Sequence, residues 1–167
     1  MIRDVPDFPK KGIIFKDITP LLGDPVAFQK TINTLKDRYA DKQLDAVVGV
    51  EARGFIFASA LAYALGIGLV MIRKPGKLPY KTFQETYSLE YGTDTVEVHQ
   101  DAFRDGQNIL VIDDVLATGG TLSATLDLIQ KNFKNVKVLE AAFLIELGFL
   151  NGREKLKDTP VYSIIHY

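Results

Sequence analysis

The sequence predicts an α/β fold: a central, mostly parallel sheet with helices on both faces. Short apolar runs alternate with segments of helical period along most of the chain, the pattern of strands joined by crossover helices. Several of the runs are continuously apolar rather than alternating, as strands buried on both faces require. At 167 residues the chain has the length of one domain, expected to span 1–167.

Taken in order, the first helix is expected over Pro25–Tyr39, with Asp24 as its N-cap and Pro25 in its first turn, and a strand follows over Ala46–Val50. The stretch 54–72 carries no charge between Arg53 and Arg73, long enough for a hydropathy window to flag a membrane span. Its composition argues otherwise. Residues 55–65 are Ala-rich helix formers, Gly66-Ile67-Gly68 ends them, and 69–72 reads as a short buried strand. After a polar stretch, the alternating segments 87–91 and 95–99, separated by Gly92-Thr93-Asp94, predict a projecting β-hairpin. A strand over 109–112, an amphipathic helix over 121–133 and strands over 136–144 and 161–165 complete the alternation.

Composition excludes several functions. With 20 Lys+Arg against 21 Asp+Glu, the net charge of -1 supplies no overall field for nucleic acid or an anionic membrane. Cysteine is absent, which removes disulfides, thiolate metal sites and cysteine nucleophiles. His99 and His166 lie far apart and outside any motif, so both are assigned to structure. No apolar h-region follows the charges at the N-terminus, and a reducing cytoplasm is the expected location.

In an open α/β sheet the ligand crevice lies beyond the carboxyl ends of the strands. Here the strand 109–112 runs into Asp113-Asp114, then Ala117-Thr118-Gly119-Gly120-Thr121, then a helix. Adjacent carboxylates at a strand end are costly unless they meet hydroxyls, a cation or a base, and a Thr-Gly-Gly-Thr turn at a helix N-terminus offers backbone donors to an anion. A plain N-cap and tight turn is the alternative. Joined to the acid pair, the turn favours a sugar phosphate, with carboxylates for the ribose hydroxyls and the turn for the 5′-phosphate. No Gly-x-x-x-x-Gly-Lys-[Ser/Thr] motif is present, and Gly66-Ile67-Gly68 lacks the third glycine of a dinucleotide fingerprint.

The stretch 109–121 resembles the phosphoribosyl pyrophosphate (PRPP) signature of the type I phosphoribosyltransferases, which fixes a strand, two acids and a loop at set spacing. Four further blocks narrow the resemblance to the members that act on adenine. These are Pro6-Asp7-Phe8-Pro9 with Gly12-Ile13-Ile14-Phe15-Lys16-Asp17-Ile18, then Glu51-Ala52-Arg53-Gly54-Phe55, then Arg73-Lys74-Pro75-Gly76-Lys77-Leu78-Pro79, and Tyr87-Ser88-Leu89-Glu90-Tyr91-Gly92. The resemblance implies the type I phosphoribosyltransferase fold, with a small N-terminal hood and a projecting hairpin loop. It also implies the reaction: adenine and PRPP give AMP and pyrophosphate, with Mg2+ as cofactor.

Site residues follow from the same resemblance. Asp113, Asp114, Ala117, Thr118, Gly119, Gly120 and Thr121 would hold the ribose and 5′-phosphate. Glu51, Ala52, Arg53, Arg73, Lys74 and Lys77 would meet pyrophosphate, with a cis peptide at Glu51-Ala52. The basic loop through Lys81 contains no acid, and a solvated surface loop or RNA-binding patch is its other reading. Ile14, Phe15, Lys16, Arg53 and Leu147 would recognise adenine, with a core aromatic as the alternative for Phe15. Relatives acting on 6-oxopurines carry a third acid, their base, where this chain has Ala117; here the resemblance points to Glu90 as the catalytic base, with Tyr91 shielding the closed loop. Magnesium would be held mainly by PRPP, through Asp113 or Asp114, without a dedicated metal site. A homodimer is implied, with no nucleic-acid or membrane partner. Another base such as xanthine or orotate, a PRPP sensor without catalysis, and PRPP synthetase are the remaining alternatives, the last needing a longer chain.

Overall fold

The structure, a computed structural model, describes residues 1–88, 92–156 and 158–167. The chain divides into two compact units, residues 1–40 and 41–167.

In the first unit, β1 (Arg3–Pro6) pairs antiparallel with β2 (Ile14–Asp17), from Arg3↔Asp17 to Pro6↔Ile14. The Arg3 guanidinium closes the open end of this ribbon with bonds of 2.9 and 2.6 Å to the Asp17 carboxylate. Helix α1 (Thr19–Gly23) leads into α2 (Pro25–Tyr39). As the sequence predicts, Asp24 caps α2, its carboxylate accepting from the Ala27 amide at 2.8 Å, while Pro25 takes a first-turn position whose amide has no helical partner.

The second unit contains β3 (Ala46–Val50), α3 (Gly54–Leu65), β4 (Gly68–Ile72), β5 (Thr82–Ser88), β6 (Thr93–His99), β7 (Asn108–Leu116), α4 (Gly120–Asn132), β8 (Lys137–Glu146) and β9 (Val161–His166). Two short 3-10 turns, Gly148–Leu150 and Gly152–Leu156, link β8 to β9. Five strands form one sheet in the order β4-β3-β7-β8-β9, every pairing parallel. Alternate residues divide its two faces. Val48, Val50, Val111, Ala141 and Phe143 join one core cluster with Leu122, Leu126 and Ile129 of α4 and Val96 and Val98 of β6. The intervening residues of β3 and β7 face α3; a Cβ on Gly49 would come within 2.8 Å of the Ala58 Cβ, so the missing side chain lets this helix pack closely.

Stretch 54–72 is therefore helix, turn and strand, but the strand is not buried as expected: β4 lies at the sheet edge and exposes Leu69 and Met71. Gly66 ends α3 in the left-handed conformation, at φ 69°, and the Ile67 amide donates back to the Ala62 carbonyl at 3.1 Å. Among the described residues no helix is long and apolar enough to cross a membrane.

Two elements differ from expectation. The hairpin's first strand begins at Thr82 instead of 87 and pairs from Thr82↔His99 to Ser88↔Thr93. Its pattern is weak because one face alone packs and that face is itself partly polar: Phe83 meets Phe133 edge-on at 5.5 Å, and Glu85, on the same face, pairs with Lys131 at 2.5 Å. Leu89, Glu90 and Tyr91, the rest of the expected 87–91 strand, lie outside the described residues. The second difference is β7, which continues past Ile112 to Leu116, so Asp113 and Asp114 lie within the strand. Pairing with β3 stops at Gly49↔Ile112, whereas pairing with β8 runs on to Leu116↔Glu146. The apolar run ends where one neighbouring strand ends, and the acids occupy the half-open remainder.

Candidate active site

The acid pair sits where β7 has lost its β3 neighbour. Asp114 is buried and forms an ion pair with Arg53, the residue that opens α3. Helix α3 can start this close because Gly54 lacks a side chain: its Cβ would stand 2.8 Å from the Ile112 carbonyl and 3.0 Å from an Asp113 carboxylate oxygen. Asp113 accepts from the Asp114 amide at 2.8 Å. Burial, and then the neighbouring Asp114 carboxylate, push the Asp113 carboxyl well above its usual range. A group so placed gains from an incoming hydroxyl or cation.

Downstream, Asp113, Ala117, Thr118, Gly119, Gly120 and Thr121 line a crevice of about 80 Å³. Gly119 adopts φ 76°, which turns the chain into α4. The loop has a seat that sequence reading missed. A Cβ on Gly119 would lie 2.3 Å from the Gly152 carbonyl oxygen, and one on Gly152 would lie 2.2 Å from the Ala117 carbonyl oxygen. Asn151-Gly152 is a visible turn dipeptide, but nothing local shows that its backbone lies against a loop some thirty residues earlier.

Arg153 anchors that seat, donating to both carboxylate oxygens of Glu146 at 2.5 and 2.6 Å. These hydrogen bonds outweigh burial and hold the Glu146 carboxyl below its usual range. Because the folded-state value is depressed, the stabilisation is complete above the unfolded glutamate range and is lost as pH falls through the native value. The stability difference between wild type and Glu146→Gln, measured by urea unfolding, should therefore shrink between about pH 7 and about pH 3. A constant gap would exclude the ionised pair as its source.

On the other side, the Glu51-Ala52 peptide is cis, as the resemblance implies. The Glu51 carboxylate accepts from Arg73 Nε at 3.1 Å and from the Lys74 amide at 2.9 Å, and Arg73 also donates to the Lys77 carbonyl at 3.1 Å. Burial raises the Glu51 carboxyl, but these hydrogen bonds prevail and hold it below its usual range. One carboxylate thus organises the start of the basic loop. Lys74 also forms an ion pair with Asp94 of β6, and Tyr87 of β5 reaches both Asp94 and Thr121 at 3.0 Å. The structure so brings together the signature loop, the basic loop and the hairpin stem. Lys81 stays with the hairpin, its carbonyl accepting from the Gln100 amide at 2.9 Å.

Leu147 follows β8 and donates its amide to the Leu116 carbonyl at 2.9 Å. Ile14, Phe15 and Lys16 belong to the first unit, on β2. Phe15 is half-buried and meets Phe8 edge-on at 5.2 Å, so it is no core aromatic, and Phe8, Ile13 and Ile14 are exposed beside it in sequence. The expected base Glu90 and the shielding Tyr91 lie outside the described residues. His99 stacks edge-on with Tyr80 at 6.2 Å, and His166 lies 3.3 Å from Glu146, each on a strand as expected.

Residues 25–166 match the phosphoribosyl transferase domain family, and the chain belongs to the phosphoribosyltransferases. An adenine phosphoribosyltransferase of Chloroflexus aurantiacus is 58% identical over all of this chain and 95% of its own length. A crystal structure of adenine phosphoribosyltransferase from Thermoanaerobacter pseudethanolicus superposes with a TM-score of 0.95 at 48% identity, covering 100% of this chain and 96% of that one. The Saccharomyces cerevisiae enzyme, complexed with adenine and an imino-altritol bisphosphate, gives 0.90 at 40% identity over 97% and 93%. Within its family the chain falls among the adenine phosphoribosyltransferases.

Proposed function

We propose that this chain, acting as one phosphoribosyltransferase domain, transfers the 5-phosphoribosyl group of PRPP to adenine. The bond from the anomeric carbon to the pyrophosphate oxygen breaks, a bond to the purine nitrogen forms, and that nitrogen loses its proton. The observation that carries the reading is the acid pair joined to a glycine loop at the end of β7, in a chain of this family.

The departing pyrophosphate gains negative charge as the ribose gains positive charge, so the site must stabilise both. Backbone donors of residues 117–121 would hold the 5′-phosphate, and Asp113 and Asp114 the ribose hydroxyls. Arg53, Arg73, Lys74 and Lys77, with the backbone at Glu51-Ala52, would hold pyrophosphate. Among the described residues no cluster of three or more His, Asp or Glu could hold a metal alone. The Asp113 and Asp114 oxygens fit magnesium, which takes one or two carboxylates beside substrate phosphates. When bound, that ion supplies neutralisation of the leaving group.

Ile14, Phe15, Lys16, Arg53 and Leu147 would recognise adenine. The half-buried ring of Phe15 supports stacking. Phe15→Ala should raise the Michaelis constant for adenine at least tenfold more than that for PRPP, on the order of one aromatic contact; equal effects would assign the ring to structure. The protein would act as a homodimer in the cytoplasm; the exposure of Tyr63 on α3 and of Leu69 and Met71 on the edge strand β4 supports the dimer.

The activity is tested by incubating the protein with magnesium, PRPP and adenine, hypoxanthine, xanthine or orotate in turn. AMP from adenine alone is expected. Binding of PRPP without reaction of any base would replace the enzyme with a sensor.

A further inference from the structure

We infer that Asp94 stands in for the pyrophosphate of PRPP in the substrate-free protein, occupying Lys74 until the substrate displaces it. The inference rests on the reading of Lys74 as a pyrophosphate cation and adds a residue that no motif contains.

Register places Asp94 directly opposite Tyr87, one pair before the last described pair of the hairpin, Ser88↔Thr93. The Asp94 carboxylate is surrounded by anion-binding groups. One oxygen takes the Lys74 ammonium and the Tyr87 hydroxyl, the latter at 3.0 Å, and the other takes the Thr95 amide at 2.8 Å. The same Tyr87 hydroxyl lies 3.0 Å from the Thr121 hydroxyl, and its ring stands at van der Waals distance, 3.7 Å, from where a Gly120 Cβ would be. A single internal carboxylate therefore ties up a basic-loop cation and, through one phenol, the last residue of the phosphate loop.

Lys74 and Asp94 side chains remain 37% and 30% exposed, so an incoming anion can exchange with this pair. Burial pushes the Asp94 carboxyl up, but hydrogen bonds from Lys74, the Thr95 amide and Tyr87 hold it below its usual range. Lys74 is held above its own despite burial. Both are charged at neutral pH, and the carboxylate cancels field that would otherwise attract a polyanion. The hairpin root has separate anchors. Buried Glu97 accepts from the Gly76 amide at 3.1 Å and pairs its backbone with Arg73, so the stem stays attached when the tip end is released.

Titration with PRPP and magnesium, without a base, reads the competition. Asp94→Asn should tighten the dissociation constant about three- to fivefold, the scale of a half-exposed ion pair. The Michaelis constant for PRPP should fall in parallel while that for adenine holds. Asp94→Ser should act in the same direction, which covers poor folding of either variant. Unchanged or weaker PRPP binding in the folded variants overturns the inference. Lys74→Gln separates it from its premise. Weaker binding there, without tightening in the Asp94 variants, removes the stand-in alone; wild-type binding removes the pyrophosphate role of Lys74 and the inference together.

Discussion

Gly152→Ala should raise the Michaelis constant for PRPP by about tenfold to a hundredfold and leave that for adenine within about threefold, because overpacking a tight contact costs about 1–3 kcal/mol and 1.4 kcal/mol is tenfold. The added methyl would stand 2.2 Å from the Ala117 carbonyl oxygen and 3.0 Å from a Leu116 methyl. Rotation of the Leu116 side chain would leave the nearer contact in place, since the Ala117 carbonyl is backbone. Two segments could move. The turn carrying Gly152 is held to β8 by the Arg153–Glu146 pair, whereas the loop 117–119 faces the crevice on its other side. The loop would therefore yield, and its donors would leave the positions proposed for the 5′-phosphate. Glycine is demanded here by proximity, and at Gly119 by proximity together with φ 76°. Gly119→Ala should be the more severe of the two. A melting temperature close to wild type with normal PRPP kinetics in Gly152→Ala would show that the seat is compliant.

The contrast between Asp113 and Gly152 shows what the sequence could and could not disclose. Asp113 to Thr121 are contiguous, so strand, acid pair, turn and helix N-terminus are read in one pass; the structure gathers Asp113 and residues 117–121 around one crevice, with Asp114 paired to Arg53. Elements with simple periodicity were equally legible: β3 is apolar and buried along its whole length, and α2 buries one face at helical spacing. Contacts between segments distant in sequence, whether through backbone or side chains, leave no such trace. Gly152 beneath the loop is one, and the Lys74–Asp94–Tyr87–Thr121 network is another. Strand β5 was hidden for a different reason: it packs through Phe83 and Tyr87 while Thr, Gln and Glu fill the rest of its surface. The length of β7 depends on its partners. Its apolar run ends at Ile112 because β3 stops there, yet its backbone continues beside β8.

Glu90→Gln should lower turnover by about 10²- to 10⁴-fold while leaving PRPP binding within about twofold, the range for loss of a positioned general base. A base must accept the proton that the purine nitrogen releases, and the carboxylates near the crevice are committed elsewhere. Asp114 is paired with Arg53, Glu51 with Arg73 and Lys74, and Asp94 with Lys74. Asp113 is biased toward its protonated form by burial and by Asp114, which suits a hydroxyl or a cation better than a departing proton. Ala117 brings only a methyl group to the loop. In sequence Glu90 falls between the paired segments Thr82–Ser88 and Thr93–His99, and the stem they form reaches Thr121 through Tyr87. Glutamine preserves the size and much of the hydrogen bonding of glutamate but cannot take the proton. The acidic limb of the pH profile of kcat should consequently vanish in Glu90→Gln. A retained limb with near-normal turnover would transfer the role to water or to Asp113.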